Sequence, residues 1–330
     1  MTPVQHLMRI ATQITNFTGP GPINRALAGV RREAAQRTAA RYRVQADELG
    51  AAIAAGRPGS RDGLIALADE AIGDMRRGVR AAVAAATMPA RLAAAWDFAW
   101  LEPDGAELMD DPTFDRELRE RIVADLHVMN GTIGVYELFF AEMVSGVRAT
   151  KPLTVIDLAA GHGGFALAAA LLARDRGLAV QITATDLRDE YLAIGREHAK
   201  RQGLPVTFAV QDALDLSNLA PGSYDVVLCT QALHHFGAGR IALMFHEATR
   251  VAANRVVFID GCRSVAAGAA VSAIGCLQFG SWAFIHDGFV SMRRCFVPEE
   301  LGLLARIGGW GDGAEASWRP PGHCVLAKQL

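Results

Sequence analysis

The stretch Val155-Ile-Asp157-Leu-Ala159-Ala-Gly161-His-Gly163-Gly-Phe-Ala166, continuing as LAAALLA, decides the fold. The apolar run LTVIDL that it completes reads as a buried strand, and the alanine- and leucine-rich continuation reads as a helix. Glycines between them let the backbone approach a ligand closely, and the helix N-terminus offers unpaired N–H groups. Gly161-His-Gly163-Gly-Phe-Ala166 also satisfies the dinucleotide form G-x-G-x-x-A. Alone it is a weak signal, because a tight strand-to-helix turn with no ligand reads the same way.

Outward from this motif the grammar repeats. Short apolar runs (VQITATD, VTFAVQD, YDVVLCT, RVVFID, GHCVLA) alternate with helical segments. Such alternation predicts an α/β, doubly wound, Rossmann-like domain with a mostly parallel sheet over 151–330. The first 95 residues read as an all-helical N-terminal module punctuated by GPGP at 19–22 and RPGS at 57–60, with Leu67, Ile72, Met75, Val79 and Val83 as an apolar stripe. Residues 96–150 read as a helical connector covering the active site, with one block from about Arg116 to Val147.

Three strands end in acids. Asp157 lies four residues before Gly161, Asp186 lies 23 residues after Gly163, and Gln211-Asp212-Ala213 ends the third strand. Carboxyl ends of strands line the ligand crevice of an open sheet. One acid each for an amino group, a ribose and an adenine amine suits S-adenosylmethionine better than NAD, whose pyrophosphate would sit badly beside Asp157.

With these motifs on the page, residues 150–330 resemble the class I S-adenosylmethionine-dependent methyltransferases. VIDLAAGHGG, ATD, QDAL and YDVVLCTQALHHF match four motifs in order. The resemblance implies that Asp157 and Gly161 face the methionine moiety, Asp186 the ribose, and Asp212 and Ala213 the adenine. Ala159, Gly163, Leu187 and Gln231 complete the implied cofactor set. Ala159 replaces the family's usual first glycine, which is tolerated if its φ is negative. HDGFVSMRRCFVPEEL resembles a small-molecule subgroup, with Pro298 in a first helical turn. No D/N-P-P-Y/F and no Pro-Cys follow the fourth strand, which turns the expectation away from adenine-N6, glutamine and 5-methylcytosine chemistry. No acidic cluster there points to metal-dependent catechol methylation, and no metal is expected.

Leu233-His234-His235-Phe236 places an imidazole just past the fourth strand, in the pKa range to take a proton from a phenol. His234 is the first base candidate, though L-H-H-F also serves as a structural turn. His286-Asp287 is the competing pair, and a polar turn is its plain alternative. His162 reads as a spacing residue. Trp96, Phe98 and Trp100, with Tyr136, Phe139 and Phe140, could line an apolar acceptor pocket, and as aromatics at helical spacing they are more often core. The expected function is methylation of a small, fairly apolar acceptor at oxygen. Alternatives are N- or C-methylation, nucleic-acid methylation, a NAD oxidoreductase, or a silent binding subunit.

Composition bounds the partners. The chain has 330 residues, 51% hydrophobic and 21% charged, which excludes disordered, collagenous and disulfide-stapled classes. Five cysteines without C-x-x-C, and a start lacking a basic region before an apolar core, make a reducing cytoplasm the expected compartment. Residues 1–95 hold 13 arginines, no lysine and 7 acids, a net +6 against −8 for the rest. The arginines are spread rather than blocked, which predicts solvated helix faces; the sharper alternative is an anionic partner, a membrane surface or RNA. No nucleic acid is expected, and peripheral membrane contact and a homodimer remain compatible. Val265–Ile285 carries no charge over 21 residues, and its glycines and polar side chains argue for a buried or lid helix over a transmembrane span.

Overall fold

The computed structural model describes residues 20–101, 104–111, 113–147, 152–311, 313–314 and 316–330. The reading of the chain's first ten residues lies outside these. Five α-helices precede the first strand among the described residues: α1 (Pro22–Ala54), α2 (Ser60–Ala84), α3 (Met88–Trp100), α4 (Arg116–Thr132) and α5 (Val135–Val144). The stripe of α2 buries Leu64, Ala68, Ile72, Met75, Val79 and Val83, whereas Leu67 is only half-buried. The expected single block over 116–147 is two helices. Gly134 adopts φ +73, a left-handed conformation that ends one helix and lets the next restart at a new angle.

Seven strands follow: β1 (Leu153–Asp157), β2 (Val180–Asp186), β3 (Val206–Val210), β4 (Tyr224–Thr230), β5 (Ala252–Gly261), β6 (Ala316–Arg319) and β7 (His323–Gln329). Their order is β3-β2-β1-β4-β5-β7-β6. Strands β3 to β5 are parallel, and β7 enters antiparallel between β5 and β6. The short, half-exposed β6 is absent from the sequence reading because four residues at a sheet edge carry little periodic signal. Helices α6 (Gly164–Asp175), α7 (Asp189–Gln202) and α8 (Ala238–Val251) make the crossovers. Strand order reverses between β1 and β4, which places the ligand crevice at their carboxyl ends.

Between β5 and β6 lie α9 (Val265–Ile274), α10 (Trp282–Arg294) and α11 (Pro298–Ala305). The uncharged segment 265–285 is not one helix. A π turn over Gly275–Phe279 and the left-handed Gly280 fold it into the α9–α10 hairpin. Among the described residues no helix is long and apolar enough to cross a membrane. Pro298 does open a helix, as expected. All five cysteines are free thiols.

The N-terminal helices are keyed into the sheet domain by buried charge. Arg31 on α1 meets Asp97 on α3 at 2.7 Å, and Arg263, just past β5, lies 3.5 Å from the same Asp97. Arg263 donates to Glu300 of α11 at 2.8 and 3.2 Å, and Arg76 of α2 donates to Glu300 at 2.8 Å. Arg61 pairs with Glu247 of α8 at 2.5 Å. The expectation that the arginines line solvated faces fails for Arg31, Arg61 and Arg76, because buried acids of the other elements require them. Close packing completes the joint: a Cβ on Gly239 of α8 would meet the Ile65 carbonyl oxygen at 2.2 Å.

Candidate active site

β1 delivers Asp157 to the crevice, 2% exposed, with its Oδ1 lacking a hydrogen-bond partner. Burial, with the nearby Asp186 charge adding to it, pushes the Asp157 carboxyl well above its ordinary range. Such a group gains most from a cationic partner. The loop after it turns sharply. Ala160 N donates to Thr185 O at 2.8 Å, and Gly161 N donates to Asp186 Oδ2 at 2.9 Å. Asp186 Oδ1 accepts from Arg188 N at 2.9 Å, so this acid both shapes the loop and borders the crevice.

The loop needs its glycines for different reasons. Gly161 has φ +56 with nothing within 4 Å of a built Cβ, so conformation demands glycine and the space in front stays open. Gly163 has φ +71, and a Cβ there would meet Phe208 at 2.5 Å. Ala159 does not meet the condition of a negative φ: it sits at φ +52, where the chain reverses between the β1 end and the Ala160–Thr185 bond. Gln231 at the end of β4 also has a positive φ, +54, and its side chain pairs with buried Asn130 of α4 at 2.5 Å. Non-glycine residues held there cost ~1–2 kcal/mol each and cluster at functional sites.

The remaining cofactor candidates line the same edge. Asp212 Oδ1 accepts from Leu214 N at 2.8 Å beside buried Ala213. Leu187, one past Asp186, is 63% exposed and offers an apolar face. His162 packs edge-on against Tyr191 at 4.9 Å, and burial pulls its pKa down to about 4.

His234, buried in the turn after β4, faces a fourth strand-terminal acid that the sequence reading did not single out. Its Nδ1 lies 2.9 Å from both oxygens of Asp260 at the end of β5, and its backbone N donates to Asp260 at 2.8 Å. Burial alone would lower the His234 pKa, but the Asp260 charge and hydrogen bond outweigh it and hold it well above the ordinary value. Asp260 responds in the opposite sense: burial raises it, His234 outweighs that, and its pKa falls. Buried Cys295 stands near the pair, its thiol pushed up to about 12 mainly by burial.

A segment between α3 and α4 covers this edge. His234 Nε2 lies 3.7 Å from Glu107 Oε1, and Arg294 of α10 reaches Glu107 and Asp110 at 3.4 and 3.3 Å. His235 Nδ1 pairs with Asp110 at 3.2 Å. Asp287 is buried and accepts from Leu108 N, Met109 N and His286 Nδ1 at 2.8, 3.0 and 2.9 Å. Asp287 thus clamps the covering turn, and His286 is largely exposed beside it. Phe114, Ile122, Met129 and Phe284 form an apolar cluster under the same cover. Tyr136, Phe139 and Phe140 are buried core against Phe165, as their spacing favours, whereas Trp96 is exposed and belongs to neither core nor crevice.

Residues 155–255 match the family described as a methyltransferase domain. With this sheet order and glycine loop, the chain carries a class I S-adenosylmethionine-dependent methyltransferase domain, whose cofactor is S-adenosylmethionine. A ubiquinone biosynthesis O-methyltransferase from Xanthomonas euvesicatoria pv. vesicatoria is 37% identical over 81 residues, 24% of this chain and 31% of that protein. One from Chromobacterium violaceum is 27% identical over 157 residues, 48% of this chain and 64% of that protein. The matches thus span less than two thirds of these relatives' lengths. A solved magnesium protoporphyrin IX methyltransferase from Synechocystis, with bound S-adenosylhomocysteine, aligns at TM-score 0.42 and 17% identity over 67% of this chain and 90% of that one. The residues present fit the cofactor: Asp157 offers a buried, unpartnered carboxylate oxygen for an ammonium, and the glycine loop leaves open space beside it.

Proposed function

We propose that the protein transfers the methyl group of S-adenosylmethionine to a hydroxyl of a small, apolar acceptor, with His234 as general base. Asp157, Gly161, Gly163, Asp186, Leu187, Asp212 and Ala213 would hold the cofactor, with Ala159 and Gln231 shaping the strand ends. The cofactor supplies an electrophilic methyl on a sulfonium. The observation that carries the reading is the Asp260–His234 pair on the same sheet edge as the glycine loop. Asp260 fixes the tautomer and orientation of the ring, leaving Nε2 to accept the hydroxyl proton. Glu107 Oε1 faces Nε2 at 3.7 Å, so the acceptor hydroxyl would approach Nε2 from beside Glu107.

The apolar cluster around Phe114, Met129 and Phe284 supports an apolar acceptor. In this reading residues 1–95 brace the sheet, 96–150 close over the acceptor, and 151–330 carry the cofactor. The relatives' names, which state O-methylation for those proteins, support oxygen over nitrogen or carbon. Internal pairing of Arg31, Arg61 and Arg76 supports a small molecule over nucleic acid. The test is turnover of isotopically methyl-labelled cofactor with a panel of phenols, amines and enolisable carbons. A labelled methyl ether is expected. Label on nitrogen or carbon only, or cofactor binding without turnover on any acceptor, would reject the proposal.

A further inference from the structure

Outside the crevice, α3 carries large apolar side chains that the described chain leaves uncovered. Met88, Leu92 and Trp96 recur every four residues, one stripe of a helix, and are 62%, 56% and 61% exposed. The next step along that stripe is Trp100, whose ring stands edge-on to Phe289 of α10 at 5.0 Å. Two turns back from Phe289 on α10 is Trp282, again 61% exposed. One apolar ridge thus runs across two helices.

Along α3 the outward charge is positive, whereas the Trp282 end of the ridge packs on Phe114, which exposed Asp111 and Asp115 flank. Each helix contains a single acid, and both are turned inward: Asp97 onto Arg31, Asp287 onto the Leu108 and Met109 amides. Arg91 is exposed on α3, and the Arg293 guanidinium lies 5.9 and 5.4 Å from the ring centres of Trp100 and Phe289. Next to the stripe, Arg80 and Arg91 line a shallow groove of about 190 Å³ between α2 and α3, with Arg80 over Phe98 at 4.3 Å.

We propose that this ridge docks the protein on an anionic lipid bilayer. Met88, Leu92 and the tryptophans enter the boundary between headgroups and acyl chains, and Arg80 and Arg91 meet lipid phosphates. A neutral apolar partner would offer Arg80 and Arg91 no counter-charge. A second copy of the same ridge would set cation against cation.

Flotation of the full chain with vesicles tests this directly. Binding is expected to vesicles of phosphatidylcholine mixed with phosphatidylglycerol, weaker to phosphatidylcholine alone, and weaker again as salt rises. Leu92→Glu and Trp96→Glu should each weaken it about tenfold or more, and Arg80→Glu or Arg91→Glu about fivefold. These side chains are exposed, so circular dichroism should stay unchanged. Leu178→Glu, at an exposed apolar position just before β2 and outside the ridge, should bind as wild type. No binding to anionic vesicles, or wild-type binding by Leu92→Glu and Trp96→Glu, overturns the proposal. So does a dimer in solution that either substitution dissociates, which would give the ridge to a second copy.

Discussion

His234 Nδ1 lies 2.9 Å from both carboxylate oxygens of Asp260, and the same carboxylate accepts the His234 amide at 2.8 Å. Adjacent parallel strands β4 and β5 end side by side, so ring and backbone of one residue are fixed by a single acid from the next strand. The other ring nitrogen, Nε2, faces Glu107 of the covering segment at 3.7 Å.

Removing the ring tests its role. His234→Gln should lower kcat by ~10²–10⁴-fold, with S-adenosylmethionine affinity nearly unchanged. His286→Ala is the matched comparison, because Asp287 holds the Leu108 and Met109 amides with or without it. Steady-state kinetics with a phenolic acceptor decide; near wild-type kcat in His234→Gln would remove the histidine from the chemistry.

The pH profile follows from the pair. With His234 as the proposed base, activity would need the neutral ring and should rise as pH climbs through a His234 pKa that Asp260 holds above the ordinary 6.5. Asp260→Asn removes that anion, so the rise should move to lower pH while kcat falls. The same shift has a stability sign. A histidine pKa raised by folding stabilises fully below its unfolded value and loses that contribution as pH rises through the folded value. Urea midpoints of the protein alone should therefore carry a component, absent in His234→Gln, that declines on the alkaline side.

Backbone strain gives a third expectation. At φ +52, Ala159 holds a conformation that costs an L-residue ~1–2 kcal/mol. Ala159→Gly should raise stability by up to about 1 kcal/mol once glycine's extra unfolded-state entropy is counted. Gly163→Ala should do the reverse, meeting both a positive φ and Phe208 at 2.5 Å. Thermal unfolding of both variants checks this, and a destabilised Ala159→Gly contradicts it.

Most of the sheet was legible because apolar runs and crossover helices have strong periods, and the glycine loop with Asp157, Asp186 and Asp212 stood out as strand ends. The partner of His234 did not. Asp260 is 26 positions away, and only the lateral pairing of β4 and β5 brings them together. A usable signal existed, since RVVFID ends in an acid as three other strands do. Glu107 was invisible for a different reason: it sits in irregular chain with no period to mark it. Arg31 and Arg76 misled because an arginine on a helix reads as solvated until the buried Asp97 and Glu300 are placed opposite.

That buried network predicts that the N-terminal helices cannot be detached. Glu300→Leu leaves Arg263 and Arg76 without their shared carboxylate and should cost ~3–5 kcal/mol, since an uncompensated buried charge remains. Chemical denaturation reads the loss directly. A shift below ~1 kcal/mol, the ceiling for a surface pair, would show the network to be peripheral.

The central claim, that the strand ends of this sheet hold S-adenosylmethionine, is tested most directly by titration calorimetry with S-adenosylhomocysteine and S-adenosylmethionine. Wild type should bind both. Asp186→Ala should weaken each by the ~1.5–3 kcal/mol of a charged hydrogen bond, about tenfold to a hundredfold. Asp157→Asn should weaken binding as well, by removing the carboxylate for the ammonium group. Heat of binding unchanged in both variants, or absent in wild type while NAD binds, would contradict the account.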